Sequence, residues 1–214
     1  MAGDGEERER IVDSEDFAES LATDLTGAFE RFVQAYQDRL YSFGLHLSGQ
    51  PLDAEEIAQD TFVRAYRALE RYPAERVRTL RLKPWLLQIA LNVFRNRVRG
   101  KAVDLVPLEP SPDRSAIEPA AAEGERPDRL AERAEERTLL EGMLLELPER
   151  QRVAVVLRHV HRLTYDEIAV LLGQPVGTVK ANVHRGIRIL RESMESLPEA
   201  AELAPGSGTR WSDG

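Results

Sequence analysis

The sequence contains no cysteine, and that absence removes disulfides, thiolate metal sites and cysteine nucleophiles together, in keeping with a reducing compartment. Long hydrophobic runs are missing too. The apolar run Trp85–Phe94 is far too short to span a bilayer, and the opening MAGDGEERER is charged where a secretory signal needs an apolar core, so a cytoplasmic protein without membrane insertion is expected. Strand signals are lacking: the patterned segments show neither period-two alternation nor the Asn-Gly and Asp-Gly turns of hairpins. Histidines are few. His159 and His161, two apart, diverge on a helix, and His46 and His184 have no acidic pair at metal spacing, so a metal-dependent hydrolase lacks ligands. All but His184 read as ordinary surface histidines. No cofactor motif is present, and a non-enzymatic role is expected.

What is present is patterned charge. The 214 residues are 42% hydrophobic and 31% charged, with a formal net charge of −8. The average conceals two cationic blocks. Residues 71–103 hold nine basic residues against one acidic, and residues 150–191 hold eight against two. Residues 1–30 and 104–149 are correspondingly acidic. Clustered Lys and Arg are the electrostatic footprint of a polyanionic partner, although a merely solvated face gives the same charge count.

Residues 103–130 carry five prolines, little periodic hydrophobicity and net negative charge, the composition of a linker. The expected organisation is therefore all-α, two small helical domains on a flexible tether. The boundaries expected are an acidic N-terminal extension (1–24), a first module (25–101), an acidic Pro-rich linker (102–137), a second module (138–196) and a loose tail (197–214).

In the first module a helix runs from Leu25 to about Leu47, with Phe29, Phe32, Val33, Tyr36, Leu40 and Phe43 on one face. A second is expected from Asp53, where Asp53 and Glu56 have the spacing of a capping box. A third follows Lys83-Pro84 and stops at Gly100. In the second module helices are expected over about 129–147 and from Pro148 to about His161. Thr164 and Glu167 then form another capping box, Gly173 ends that helix, and a last helix starts near Val176.

A short capped helix, a glycine turn and a second helix make a helix-turn-helix, whose second member lies in the DNA major groove. Val179, Val183, Ile187 and Leu190 form its buried stripe against Ile168, Leu171 and Leu172. Lys180, Ala181, His184, Arg185 and Arg188 are left on the opposite face. Thr178 and the free first-turn amides suit a phosphate oxygen.

The segment LPERQRVAVVLRHVHRLTYDEIAVLLGQPVGTVKANVHRGIRIL resembles region 4 of extracytoplasmic-function sigma factors of the sigma-70 family. DAEEIAQDTFVRAYRAL and KPWLLQIALNVFRNRVR independently resemble their region 2. The resemblance implies a sigma factor that binds core RNA polymerase through the beta-prime clamp and beta flap, reads minus-10 and minus-35 promoter elements and promotes DNA opening, with an anti-sigma factor as a further partner. It places Glu56, Gln59 and Asp60 on polymerase. It places the minus-10 strand on Tyr72, as base contact, with Arg76, Arg78, Arg81, Lys83, Asn92, Arg95, Asn96, Arg97 and Arg99. The minus-35 duplex falls to Thr178, Lys180, Ala181, His184, Arg185 and Arg188. Trp85 is assigned to the core rather than to DNA.

Two departures accompany the resemblance. The family's usual GTVKSR is GTVKAN here, which puts Ala181 and Asn182 where a hydroxyl and a guanidinium would face DNA, and RYPAERVRTLRLKPW forms a longer, arginine-rich connection. A tether of this length reaches roughly 30 to 36 Å, near one duplex turn, so that two weak contacts can act together. The alternative is a helix-turn-helix regulator with no sigma role, which would need a ligand or phosphoacceptor domain where no βα pattern exists.

Overall fold

The computed structural model describes residues 15–101 and 138–196, all of it helix and connecting turn, with no strand among the described residues. The expected linker and the C-terminal tail lie outside the described residues. No described helix is long and apolar enough to cross a membrane.

Helix α1 spans Glu15–Thr23 and α2 spans Leu25–Ser48. The break between them is local chemistry: the Asp24 side chain accepts a hydrogen bond from the Gly27 amide at 3.0 Å and caps α2. Helix α1 corrects the expectation of a loose end up to residue 24. Ala18 and Leu21 are buried, and Phe17 packs its ring 6.0 Å from that of Phe32. Helix α2 ends at Gly49, whose φ of 70° is the left-handed conformation that glycine adopts at least cost.

Helix α3, Pro51–Leu69, starts two residues earlier than Asp53. The capping box expected there does not form. Gln50 is the N-cap and makes no side-chain cap, Pro51 supplies the first turn, and Asp53 and Glu56 instead both hold Arg97. Helices α2 and α3 approach closely, because a Cβ on Gly44 would stand 2.9 Å from the Ala54 Cα. The connection after α3 contains a short helix α4, Ala74–Arg78, before α5, Leu82–Lys101. The first core gathers Phe32, Tyr36, Leu40, Phe43 and Ile57 with Leu86, Ala90 and Val93 of α5. Trp85 packs at its margin, as expected.

In the second module a helical stretch α6 covers 138–146, and α7 spans Glu149–Val155. Its last turn, Val156–Val160, widens to a π-helix and ends with the His161 amide donating to the Val156 carbonyl at 3.0 Å. Arg162 then takes a positive φ of 55°, and the Arg158 guanidinium donates to the Leu163 carbonyl at 2.9 Å across that turn. Helix α8, Tyr165–Leu172, carries the expected capping box: the Thr164 hydroxyl accepts from the Glu167 amide, and the Glu167 carboxylate accepts from the Thr164 amide. Gly173 closes it with φ 61°. Helix α9 runs over Val176–Ser196. Gly186 lets α9 lie on α7, since a Cβ there would meet Val155 Cγ2 at 2.6 Å.

The two modules pack on each other rather than standing apart. His161 inserts edge-on against Phe43, ring centroids 5.2 Å apart, and is only 5% exposed, so it is no surface histidine. Around this plug, Glu149 at the start of α7 accepts from Arg95 of α5 at 3.1 Å, and Glu167 of α8 pairs with Arg81 at 2.5 Å. Leu145 covers Gly49. A cleft of about 380 Å³ remains between α5 and α8, walled by Trp85 and Gln88 on one side and Val170 and Leu171 on the other.

Candidate nucleic-acid interfaces

Helix α9 divides by burial as its spacing demands. Val179 and Val183 are buried, with Ile187 and Leu190 half-buried beyond them. Thr178, Lys180, His184, Arg185 and Arg188 are exposed, and Ala181 is half-buried among them. Five of the six residues expected to face the minus-35 duplex thus share one open surface. Asn182 does not belong to it: the side chain is 6% exposed. It stands three residues after Val179 and four before Gly186, within the buried stripe, so the Asn in GTVKAN alters the module's interior rather than its outer face.

Tyr165, at the first turn of α8, organises the cations around the opening of α9. The Arg158 guanidinium lies 4.8 Å from its ring centroid and the Lys180 ammonium 5.6 Å. Both contacts are cation–π attractions, and they draw Lys180 toward the α8 side of the exposed face of α9. Among the described residues Arg188 makes only a long, exposed pair with Glu192 at 3.6 Å, an interaction of negligible worth that leaves it available.

The first module's cations are differently placed. Arg78 is held between Glu19 and Glu75, Arg81 pairs with Glu167, Arg95 with Glu149, and Arg97 with Asp53 and Glu56. Lys83 lies near His161 at the module boundary. The wall of positive charge expected from residues 76–99 is therefore largely compensated in this arrangement. Asn92, Asn96 and Arg99 remain as an exposed stripe of α5. Tyr72 is half-buried, 6.3 Å from the Trp85 ring, and its face is covered by the Arg76 guanidinium at 3.7 Å from the centroid. A nucleobase could stack on Tyr72 only by displacing Arg76, or on the guanidinium plane itself.

On α3, Glu56, Gln59 and Asp60 are all exposed along one arc, opposite the buried Ala54, Ile57 and Ala58. Among the described residues, Glu56 alone of the three carries an ion pair, to Arg97.

Several residues that shape these surfaces were not evident from the sequence. Glu19, Glu149 and Glu167 act as counterions to Arg78, Arg95 and Arg81 from positions 54 to 86 residues away in the chain, and no local pattern signals a pairing at that range.

Comparison with known proteins follows the same division. The Sigma-70 region 2 family matches residues 32–103 and the Sigma-70, region 4 family matches residues 137–190. The chain is similar to the ECF RNA polymerase sigma factor SigW of Bacillus subtilis, 30% identical over 173 residues that cover 79% of this chain and 90% of the relative. It is also similar to the ECF RNA polymerase sigma factor SigE of Mycolicibacterium smegmatis, 32% identical over 165 residues, 77% of this chain and 61% of that one. Among solved structures, the sigma factor RpoE bound to the anti-sigma factor NepR of Bartonella quintana shares the fold with a TM-score of 0.58 at 22% identity, covering 79% of this chain and 98% of that one. CnrH in complex with the cytosolic domain of CnrY shares it with a TM-score of 0.61 at 21% identity, covering 87% and 99%.

Proposed function

The chain belongs to the extracytoplasmic-function sigma factors of the sigma-70 family, and from that premise we propose which of its surfaces meets which part of a promoter. As a sigma factor it directs RNA polymerase to promoters and acts as a regulatory subunit; the alternative of a helix-turn-helix regulator with no sigma role is not favoured.

Helix α9 reads the minus-35 element in the major groove, with Lys180, His184 and Arg185 toward base edges and Thr178 and Arg188 toward phosphates. The observation that carries this assignment is the exposure of those side chains together, opposite Val179 and Val183. Each good side-chain contact to a base discriminates by roughly 1 to 3 kcal/mol, so α9 alone binds weakly and needs a second contact.

The second contact is the minus-10 element. Asn92, Asn96 and Arg99 lie along an open strip of α5, and Arg95, Arg81 and Lys83 join them once the modules part, whereas Arg97 stays paired with Asp53 and Glu56 of its own module. Melting requires no covalent chemistry, only a favourable place for unstacked bases, and stacking on Tyr72 or Arg76 contributes roughly 1 to 3 kcal/mol per base. The beta-prime clamp docks on Glu56, Gln59 and Asp60, where complementary charge governs encounter rate and register.

The functional boundaries are taken as 25–101 and 138–196 with an acidic tether between, and α1 is added to the first module. The protein works in the cytoplasm. Two proteins of the same fold are held in complexes, one with an anti-sigma factor and one with the cytosolic domain of CnrY, which supports an anti-sigma factor as a partner of this chain as well.

The test is run-off transcription with core polymerase over a genomic template pool. Defined start sites appear only when the protein is added. Absence of new transcripts, with polymerase and DNA competent for another sigma factor, overturns the assignment.

A further inference from the structure

Helix α1 lies before the segment matched to region 2, yet it is tied to the arginine-rich connection inside that segment. The tie has two parts. Val77, in the middle of α4, is 2% exposed and belongs to the same apolar cluster as Ala18 and Leu21 of α1. Immediately after it, Arg78 donates from Nε to Glu19 at 2.6 Å and from Nη1 to Glu75 at 2.7 Å, so both edges of one guanidinium are engaged. The Thr23 hydroxyl donates to the other Glu19 oxygen at 3.2 Å and fixes the carboxylate from the side away from Arg78. The hydrogen bond with Arg78 is also the main reason that the Glu19 carboxyl lies below its ordinary range and the Arg78 guanidinium above its own. A single exposed ion pair contributes little, but one buttressed by a second carboxylate, a hydroxyl and an adjoining buried valine defines an orientation.

What it orients is the connection from Arg71 to Leu82. Two residues before Arg78, Arg76 caps the Tyr72 ring, which in turn leans on Trp85. These residues share one short helix and the turn before it, so a shift of Arg78 moves Arg76 with it.

We propose that Glu19 is a positioning residue for minus-10 recognition, holding Arg78 so that α4 presents the Arg76–Tyr72–Trp85 stack to an unstacked base, and that Arg78 is a strut and not a DNA contact. This rests on the assignment of the Tyr72 region to the minus-10 element made above. A strut and a phosphate ligand differ in their dependence on salt. Removing a phosphate contact lowers affinity for every promoter and makes the log–log salt slope shallower by about one, whereas removing a strut leaves the slope and weakens discrimination among sequences.

The experiment uses the full chain reconstituted with core polymerase, open-complex formation on a promoter set permuted through the minus-10 element, and salt titration on the best promoter. Glu19→Gln, Glu19→Ala, Arg78→Ala and the double variant are compared with Tyr72→Ala and Arg76→Ala. The expected result is a two- to fivefold compression of the spread among minus-10 variants for Glu19→Ala and Arg78→Ala, the order set by one surface pair, with the double variant no worse than either. Salt slope and dependence on the minus-35 element stay unchanged, and Glu19→Gln, which can still accept the hydrogen bond, falls between. A shallower slope for Arg78→Ala that persists in the Glu19→Ala background overturns the proposal. So does a lowered thermal midpoint with the promoter spread intact. If Tyr72→Ala and Arg76→Ala leave the spread untouched, the minus-10 assignment itself is wrong and the proposal fails with it; if they alter it and Glu19→Ala does not, only the proposal fails.

Discussion

Lowering the pH from 7.5 to 5.5 is expected to weaken the packing of the two modules about tenfold, through one side chain. His161 is buried against Phe43, its Nε2 has no hydrogen-bond partner among the described residues, and the groups that face it, His46, Lys83 and Arg39, are cationic or can become so. Burial first, and those neighbours second, push its pKa down from 6.5 to about 3. When the modules part the ring meets water and regains an ordinary pKa of about 6.5. The separated form therefore takes up the proton that the docked form refuses. Docking is at full strength above that value, declines as pH falls through the interval down to about 3, and levels off below it. One unit below 6.5 the loss is about 1.4 kcal/mol, a factor of about ten, and two units below it is about 2.7 kcal/mol. Glu167 adds its own dependence only at lower pH. Burial opposes ionisation there, but hydrogen bonds from Thr164 and the charges of Arg81 and Lys83 outweigh it and hold the carboxyl below its usual range; the Thr164 bonds are internal to the second module, so only the part owed to Arg81 and Lys83 bears on docking, kept above the ordinary carboxylate pKa and lost beneath it. The chain has no cysteine of its own, so Gln88→Cys and Val170→Cys, on opposite walls of the cleft, can carry pyrene labels whose excimer emission reports docking. His161→Phe keeps a ring on Phe43 and removes the titration. Excimer emission that is flat from pH 7.5 to 5.5, or that falls equally in His161→Phe, refutes the reasoning.

Other expectations follow from single contacts. Gly44→Ala forces a Cβ to 2.9 Å from the Ala54 backbone and should cost about 1 to 3 kcal/mol, read as a lower denaturant midpoint for the first module. Thr164→Ala removes one half of the α8 capping box and should destabilise the second module by about 1 kcal/mol in thermal melts. Arg185→Ala should weaken binding to the minus-35 element by about 1 to 3 kcal/mol and relax selectivity at one position, measured by footprinting of holoenzyme on permuted promoters. Gln59→Ala combined with Asp60→Arg should abolish co-purification with core polymerase while circular dichroism stays unchanged.

Local chemistry was legible in the sequence, and long-range pairing was not. Thr164, Glu167 and Gly173 define α8 through bonds that span five residues or fewer, and each stands where the spacing places it. Asp53 and Glu56 have the same spacing but a different fate, because Pro51 begins the helix earlier and a guanidinium more than forty residues away takes both carboxylates. Helix α1 was hidden by its own acidity: EDFAESLAT reads as a solvated run until Ala18 and Leu21 find an apolar surface supplied by α2 and α4. His161 looked exposed because Phe43, which buries it, belongs to the other module. Among the residues proposed to face DNA, the α9 set could be read from a single helix period, whereas the state of Arg81, Arg95 and Arg97 depends on carboxylates contributed by three other helices. Asn182 was in principle legible, since the three-and-four spacing from Val179 and to Gly186 already assigns it inward.

Arg97 joins the helix proposed to hold single-stranded DNA to the helix proposed to hold the enzyme's clamp, through Asp53 and Glu56. A basic group from the clamp that captures Glu56 leaves Arg97 with half its neutralising charge. The positive potential along α5 then rises at the moment of assembly, before any promoter is encountered. Holoenzyme formation would in this way act as the trigger that makes the opening surface attractive to nucleic acid, and the unassembled polypeptide would drift past chromosomal DNA with that attraction muted.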